Sequence, residues 1–299
     1  MFSNDFKRQS RFDKGFDIIN VMLLGIIMLA ILYPLYFVVI ASISSPLEVN
    51  AGQVLFWPKG VTLRGYQMIF RDQDILTGYR NTFFYTFLGT AINVTLTTFA
   101  AYPLARRDWV GRNFFMTLLL ITMFFGGGLI PTYLVMNGLG VVNTIWAMVI
   151  PGAVSVYNVI VMRTYLNTSI PYELQEAATV DGASNFALLF RIVLPLSKPI
   201  LAVLVLFYGV AHWNSFFNAL IYISDKKLYP LQLVLRSILI QNQVAQDMFG
   251  DEDSLTDRTI LAELIKYGLI IVSTLPVLIL YPFMQRYFVK GVMIGAVKG

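Results

Sequence analysis

Long apolar runs separated by polar segments set the pattern of this chain. Six stretches reach the roughly 20 apolar residues that a helix needs to cross a bilayer: residues 16–40, 81–104, 114–136, 144–165, 199–223 and 264–287. The first is too long for the apolar core of a signal peptide and no small-residue cleavage site follows it, so it reads as a span that stays. The predicted fold class is an all-α integral membrane protein with six transmembrane helices. Residues 1–15 form a polar leading segment, and 16–299 form one transmembrane domain.

The connecting segments are unequal. Residues 42–80 are long and mixed, and 137–143 (NGLGVVN) make a tight turn. Residues 225–263 hold an apolar piece, LQLVLRSILI, that predicts a helix. That helix either packs on the spans or forms a lip for an external partner.

Composition agrees with the pattern. Of 299 residues, 57% are hydrophobic and 13% charged, about half the charge of a soluble domain. Trp, Tyr and Phe number 4, 16 and 23, which suits a protein with two membrane interfaces to mark. The placement of charge is more telling than its net value of +5. Thirteen of the 22 Lys and Arg lie on one side of a six-span topology: Lys7, Arg8, Arg11, Lys14, Arg106, Arg107, Arg112, Arg163, Arg191, Lys198, Arg286, Lys290 and Lys298. Basic residues in short loops mark the cytoplasmic face, so both termini are expected inside. The acidic DEDSLTD at 251–257 falls outside.

Several chemistries are excluded or weakened. There is no Cys for disulfide, thiol or thiolate-metal chemistry, and one histidine, His212, cannot build a metal site alone. No Gly-Lys-Ser or Gly-Lys-Thr occurs, so no P-loop binds ATP here. No catalytic motif stands out, and no catalytic or metal-binding residue is assigned. The spans are nearly free of ionisable residues, which ion-coupled transporters keep for function.

Uncharged polar residues do enter the membrane. Phe207, Ala211, Asn214, Asn218 and Tyr222 recur at helical spacings of three and four and so share a face if span five is one helix. Amides can bond sugar hydroxyls and rings can stack on pyranose faces, making Tyr208, Asn214, Asn218 and Tyr222 candidates for a solute pathway. Buried amides also bond neighbouring helices, and that reading stays open. His212 lies off the stripe and reads as a packed, neutral side chain. Gly126, Gly127, Gly128 and Pro131 in FFGGGLIPTY either allow close helix packing or form a hinge or gate.

The most distinctive stretch is polar and Ala-rich: QEAATVDGASNFALLFRIVLPLSKPIL, residues 175–201. Pro171 sits where a helix can begin, and Glu173 and Glu176 suit its dipole. Leu174, Ala177, Ala178 and Asp181 follow the i, i+3, i+4, i+7 pattern. Their small side chains leave a shallow face that another protein can approach. Gly182 can take the left-handed conformation that ends a helix. Ser184 or Asn185 can cap a second short helix, which Pro195 and Pro199 interrupt. The result is a helix–turn–helix elbow over 169–198, between spans four and five.

Glu176-Ala177-Ala178, Asp181-Gly182-Ala183, Phe190, Ile192, Leu194-Pro195 and Pro199 resemble the EAA loop of binding-protein-dependent ABC importer permeases. WNSFFNALIY and the C-terminal YPFMQRYFVKGVMIGAVKG resemble the MalG-like subunit of carbohydrate importers. FFGGGLIPTYLVMNGLGVVNTIWAMVIPGAVSVYN resembles the subgroup handling oligosaccharides and polysaccharide fragments.

The resemblance covers about residues 16–299 and implies the type I ABC importer (MetI-like) permease fold in a bacterial inner membrane. It implies four kinds of partner: a second, related permease, two copies of a cytoplasmic ABC ATPase holding ATP and Mg, an extracytoplasmic solute-binding protein, and a sugar. No cofactor would be bound by this chain, and no nucleic acid is implied. Glu173, Glu176, Ala177, Ala178, Asp181, Gly182 and Ala183 would lie at the ATPase contact, and residues 289–299 could reach between the ATPases. Outer Lys226, Lys227 and Arg236 could meet the carboxylates of acidic oligosaccharides. A permease of the same fold for another solute, and an ATP-independent channel or scaffold, remain the alternatives.

Overall fold

The computed structural model describes residues 10–248 and 265–282, and all regular structure among them is helical. The chain divides into two compact units, residues 1–71 with 241–272 and residues 72–240 with 273–299.

In the first unit, α1 (Arg11–Ser42) is apolar on every side, and only 6% of its most apolar window is buried within the chain. A helix that is hydrophobic all round yet uncovered faces lipid. Ser10 opens it with a capping box: its Oγ accepts from the Asp13 amide, and the Asp13 carboxylate accepts from the Ser10 amide. Two short helices follow, α2 (Pro46–Asn50) and α3 (Arg64–Ile69). The Tyr66 hydroxyl donates to Ser42 Oγ at 2.8 Å, fastening α3 to the end of α1.

The second unit is organised around α4 (Gln73–Ala105), a continuous helix of 33 residues. At about 1.5 Å per residue it runs about 50 Å, well beyond a hydrocarbon core about 30 Å thick. After it come α5 (Arg112–Phe124), α6 (Leu129–Gly138), a 3₁₀ turn (Ile145–Met148) and α7 (Val156–Ser169). The elbow consists of α8 (Tyr172–Val180) and α9 (Asn185–Leu196), the latter with a π-helical stretch over Leu189–Val193. Then follow α10 (Lys198–Trp213), α11 (Phe217–Tyr222) and the start of α12 (Leu231–Met248), which passes into the first unit after residue 240; α13 (Ile265–Pro282) belongs to the second unit from residue 273 on.

The all-α membrane fold is as expected, but several spans are not single helices. Among the described residues three helices, α1, α4 and α13, are individually long and apolar enough to cross a membrane. The number is up to five if the bent pairs α5/α6 (113°) and α9/α10 (81°) each count as one. The span expected at 144–165 is instead a 3₁₀ turn, an irregular segment containing Gly152 at φ +73°, and the 14-residue α7. The span expected at 199–223 stops at Trp213 and resumes at Phe217.

Hydropathy registers burial, not helical continuity, and local side chains break the helix here. Asn214 Nδ2 donates back to the Val210 carbonyl at 3.0 Å, and Ser215 Oγ donates to the His212 carbonyl at 2.6 Å. Both add to the backbone bonds that the Asn214 and Ser215 amides give to the same carbonyls at 3.1 and 3.2 Å, and so compete with continuation of the helix. In the last predicted span, α13 covers residues 265–282, and residues 283–287 lie outside the described chain. The same holds for the DEDSLTD acids and for residues 289–299. The LQLVLRSILI helix is present as the start of α12. It packs on α4, where Thr82 Oγ1 accepts from the Leu231 amide at 2.8 Å.

Two hydrophobic clusters fill this unit. One surrounds the C-terminal half of α4 and joins Ala101 and Leu104 to Met162, Leu166, Leu188 and Leu204. The other surrounds the N-terminal half and joins Tyr85 to Met136, Met148, Ala219 and Tyr222.

Candidate functional site

The elbow is built by its local sequence. Glu173 occupies the first turn of α8, where a carboxylate favours the helix dipole. The helix ends as Gly182 takes φ +75°. The Gly182 amide donates to the Thr179 carbonyl at 3.1 Å and the Ala183 amide to the Ala178 carbonyl at 2.9 Å. These two bonds are the Schellman arrangement that closes orphan carbonyls at a helix end. Ser184, rather than Asn185, caps α9 by accepting from the Ala187 amide at 3.2 Å. Each turn residue singled out in the sequence therefore has a local reason to be there.

The elbow shows one face to its own core and another outward. Ala178 is buried and packs with the cluster around Leu188, and Ala183 is half-buried against it. Glu173, Leu174, Glu176, Ala177, Asp181 and Gly182 are exposed. Val180, 87% exposed, and Phe186, 69% exposed, add large apolar side chains to that surface. Ala178 thus braces the elbow and does not present a surface, because α8 turns that side of the i, i+3, i+4 stripe inward.

Mid-membrane chemistry centres on α4, which sequence reasoning passed over. Tyr85, Gly89, Asn93, Thr97 and Ala101 recur every four residues, and all five are buried. Asn93 lies 12 residues from the end of α4, about 18 Å along the axis and well inside this long apolar helix. Its Nδ2 donates to the Gly152 carbonyl at 3.2 Å. That bond orients the amide, so Oδ1 accepts from His212 Nε2–H at 3.1 Å. One turn along, Thr97 Oγ1 lies 2.6 Å from the Tyr208 hydroxyl, which accepts from the Ser155 amide at 3.1 Å. Irregular backbone at membrane depth survives only where protein or water satisfies it; here α4 supplies the partner of the Gly152 carbonyl and α10 that of the Ser155 amide. The period-four row of small and polar residues in span two was the available signal.

Gly89 makes room for this arrangement. A Cβ there would fall 2.3 Å from His212 Nε2. His212 is packed, as expected.

The four pathway candidates do not share one helix face, because span five breaks between them. Tyr208 is buried against Thr97. Asn214 is exposed at the break, and Asn218 is half-buried in α11. Tyr222 is buried and stacks on Tyr133, with centroids 6.1 Å apart. Gly126, Gly127 and Gly128 form the non-helical link of the α5/α6 bend, and Pro131 lies in the first turn of α6. Nothing lies within 4 Å of a Cβ placed on Gly126 or Gly128, so within this chain they break the span rather than admit a neighbouring helix. Lys226 and Lys227 are exposed, and the Arg236 guanidinium lies over the Phe216 ring at 5.2 Å. Among the described residues no group of three His, Asp or Glu could hold a metal ion.

These features, bent spans around one long helix and an elbow between spans with one exposed face, are those of a multi-span membrane subunit. The chain belongs to the family of binding-protein-dependent transport system inner membrane components, which matches residues 75–294. It is 38% identical to protein LplC of Bacillus subtilis, over 95% of each chain. It is 37% identical to the polygalacturonan/rhamnogalacturonan transport system permease protein YtcP of Bacillus subtilis, over 95% of this chain and 98% of that protein. A crystal structure of a bacterial ABC transporter involved in import of the acidic polysaccharide alginate has a chain that superposes with a TM-score of 0.85. The two are 32% identical, over 94% of this chain and 99% of that one.

Proposed function

We propose that this chain is a permease subunit of an ATP-driven, binding-protein-dependent importer of oligosaccharides in a bacterial inner membrane, with both termini cytoplasmic. The observation that carries the substrate class is the near full-length similarity to a polygalacturonan/rhamnogalacturonan permease and to an alginate importer chain. In this reading a second, related permease completes the pathway, and a solute-binding protein delivers sugar from outside. The exposed face of the elbow, with Glu173, Glu176, Ala177, Asp181 and Gly182, receives one subunit of a cytoplasmic ATPase dimer, which holds ATP and Mg, and the second permease's elbow receives the other. Ala178 and Ala183 anchor the elbow from behind. The bend at Gly126–Gly128 and Pro131 acts as a hinge. Asn214, Asn218, Tyr208 and Tyr222 belong to the wall of the pathway or to the shell that shapes it.

Purification from the native membrane in mild detergent, with mass spectrometry of co-purifying chains, tests the assembly. A second multi-span permease and an ATPase with a Walker motif are expected. Purification of the chain alone, under conditions that keep other ABC complexes intact, would favour a channel or scaffold. Uptake assays on the reconstituted complex then compare oligosaccharides with peptides and polyamines. Stimulation of ATP hydrolysis by a peptide or polyamine alone would overturn the sugar assignment.

A further inference from the structure

The loop that follows α4 grips both helices of the elbow. Arg106 sets its planar guanidinium against three partners at once. Nε and Nη2 donate to the two carboxylate oxygens of Asp108, at 2.7 and 2.5 Å. Nη1 donates to the Tyr102 hydroxyl and to Asn185 Oδ1, each at 3.2 Å. Asn185 is the first residue of α9. The neighbouring Arg107 places its guanidinium 5.1 Å from the ring of Tyr172, the first residue of α8. Two adjacent arginines thus hold the starts of the two elbow helices. Arg163 of α7 secures the same corner by donating to the Leu104 carbonyl at 2.9 Å.

The chemistry suits a mechanical contact. Asp108 takes two prongs of the Arg106 fork and fixes its plane, so the third is aimed at Asn185, which a lysine's single point charge cannot reproduce. The Arg106 side chain is 15% exposed and that of Asp108 is 50% exposed, so the pair stands at the rim of the elbow. A cleft of about 420 Å³ opens beside it between Trp109 and Phe186, so apolar packing does not fill this corner. From here α4 runs without a break to Asn93, where it holds the Gly152 carbonyl and His212 beside the interruption of span five.

We infer that Arg106 and Arg107 are positioning residues that carry displacement of the elbow into α4, and through α4 to the mid-membrane breaks. The inference rests on the elbow being the ATPase contact. The clamp is also insensitive to pH across the physiological range. The Arg106 hydrogen bond holds the Asp108 carboxyl below its ordinary value. A depressed carboxyl contributes stability that is present above the unfolded value, about 3.9, and lost only as pH falls through the folded one.

The test uses the complex purified from its native membrane. The chain has no cysteine of its own, so Val154→Cys provides a single reporter in the irregular segment. Its rate of reaction with a polar thiol reagent is measured with and without MgATP and vanadate. In the parent a change in rate of about tenfold is expected, within the usual range for coupled sites. In the Arg106→Gln/Arg107→Gln double variant ATP hydrolysis should persist while that change is lost, and Arg106→Lys should restore only part of it.

A double variant that keeps the full change overturns the inference. So does one that loses the ATPase from the complex, because the arginines would then only shape the docking surface. A reporter whose rate does not respond in the parent, with the ATPase present and active, also overturns it. If the parent brings down no ATPase, it is the reading of the elbow that fails.

Discussion

An importer carrying Gly182→Leu is expected to insert and assemble but to import nothing above background when ATP is supplied. Gly182 sits at φ +75°, and nothing lies within 4 Å of where its Cβ would be. The left-handed conformation costs a side-chain-bearing residue roughly 1–2 kcal/mol, small against the ~5–15 kcal/mol that holds a typical fold together. The chain can therefore fold around the substitution. The added isobutyl group must then stand on the exposed face of the elbow, beside Glu176 and Ala177. If an ATPase approaches there, the contact is wedged open. Gly182→Asn is the control, because asparagine visits the left-handed region readily and is short. It should retain most uptake. The readouts are uptake and ATP hydrolysis in reconstituted vesicles, with membrane insertion measured alongside. Unchanged uptake in the leucine variant would remove the elbow from the coupling path.

Gly89→Ala should do its damage inside the chain. In an exposed helix the same change would add roughly 1 kcal/mol of stability. Here the new methyl would lie 2.3 Å from Nε2, 2.5 Å from Cε1 and 2.8 Å from Cδ2 of His212. The imidazole cannot step aside freely, because Nε2 is bonded to Asn93, and Asn93 is bonded to Gly152. Overpacking of this kind typically costs about 1–3 kcal/mol. The thermal midpoint of the detergent-solubilised complex should fall by several degrees, with less complex recovered. His212→Ala should relieve the clash, so the double variant Gly89→Ala/His212→Ala should be more stable than the two single effects add up to. Contacting residues are where such non-additivity is expected. Strict additivity in that cycle would show that the two side chains do not meet.

The sequence made the elbow legible nearly to the residue, because its determinants are local. A proline before the helix, a glycine past its end and a serine cap each act within one turn of chain. The membrane character and the approximate places of the spans were equally plain, since they depend on long apolar runs. The breaks were not visible. Span five looks continuous by hydropathy, yet α10 ends at Trp213, where the Asn214 and Ser215 side chains bond back to carbonyls of the last turn. The stripe drawn from Phe207 to Tyr222 assumed a helix that stops halfway. Asn93 and Arg106 were missed for another reason. The partners that give them their roles stand far along the chain, Gly152 and His212 for Asn93 and Asn185 for Arg106, and such pairings are set by packing rather than by spacing.

The dependence of the broken spans on α4 has a consequence for how the protein is made. A continuous apolar helix can enter the bilayer with its backbone already satisfied, but a segment interrupted at mid-depth carries free amides and carbonyls into lipid. In this chain the Asn93 donor to the Gly152 carbonyl is synthesised first, whereas the Ser155 amide awaits the Tyr208 hydroxyl, which follows it in order of translation. The carbonyl of the irregular segment thus leaves the ribosome after its partner, and the amide before its own. The order of elements along the polypeptide thereby sets an assembly schedule: the long helix comes first, and the irregular crossing is completed only when α10 arrives.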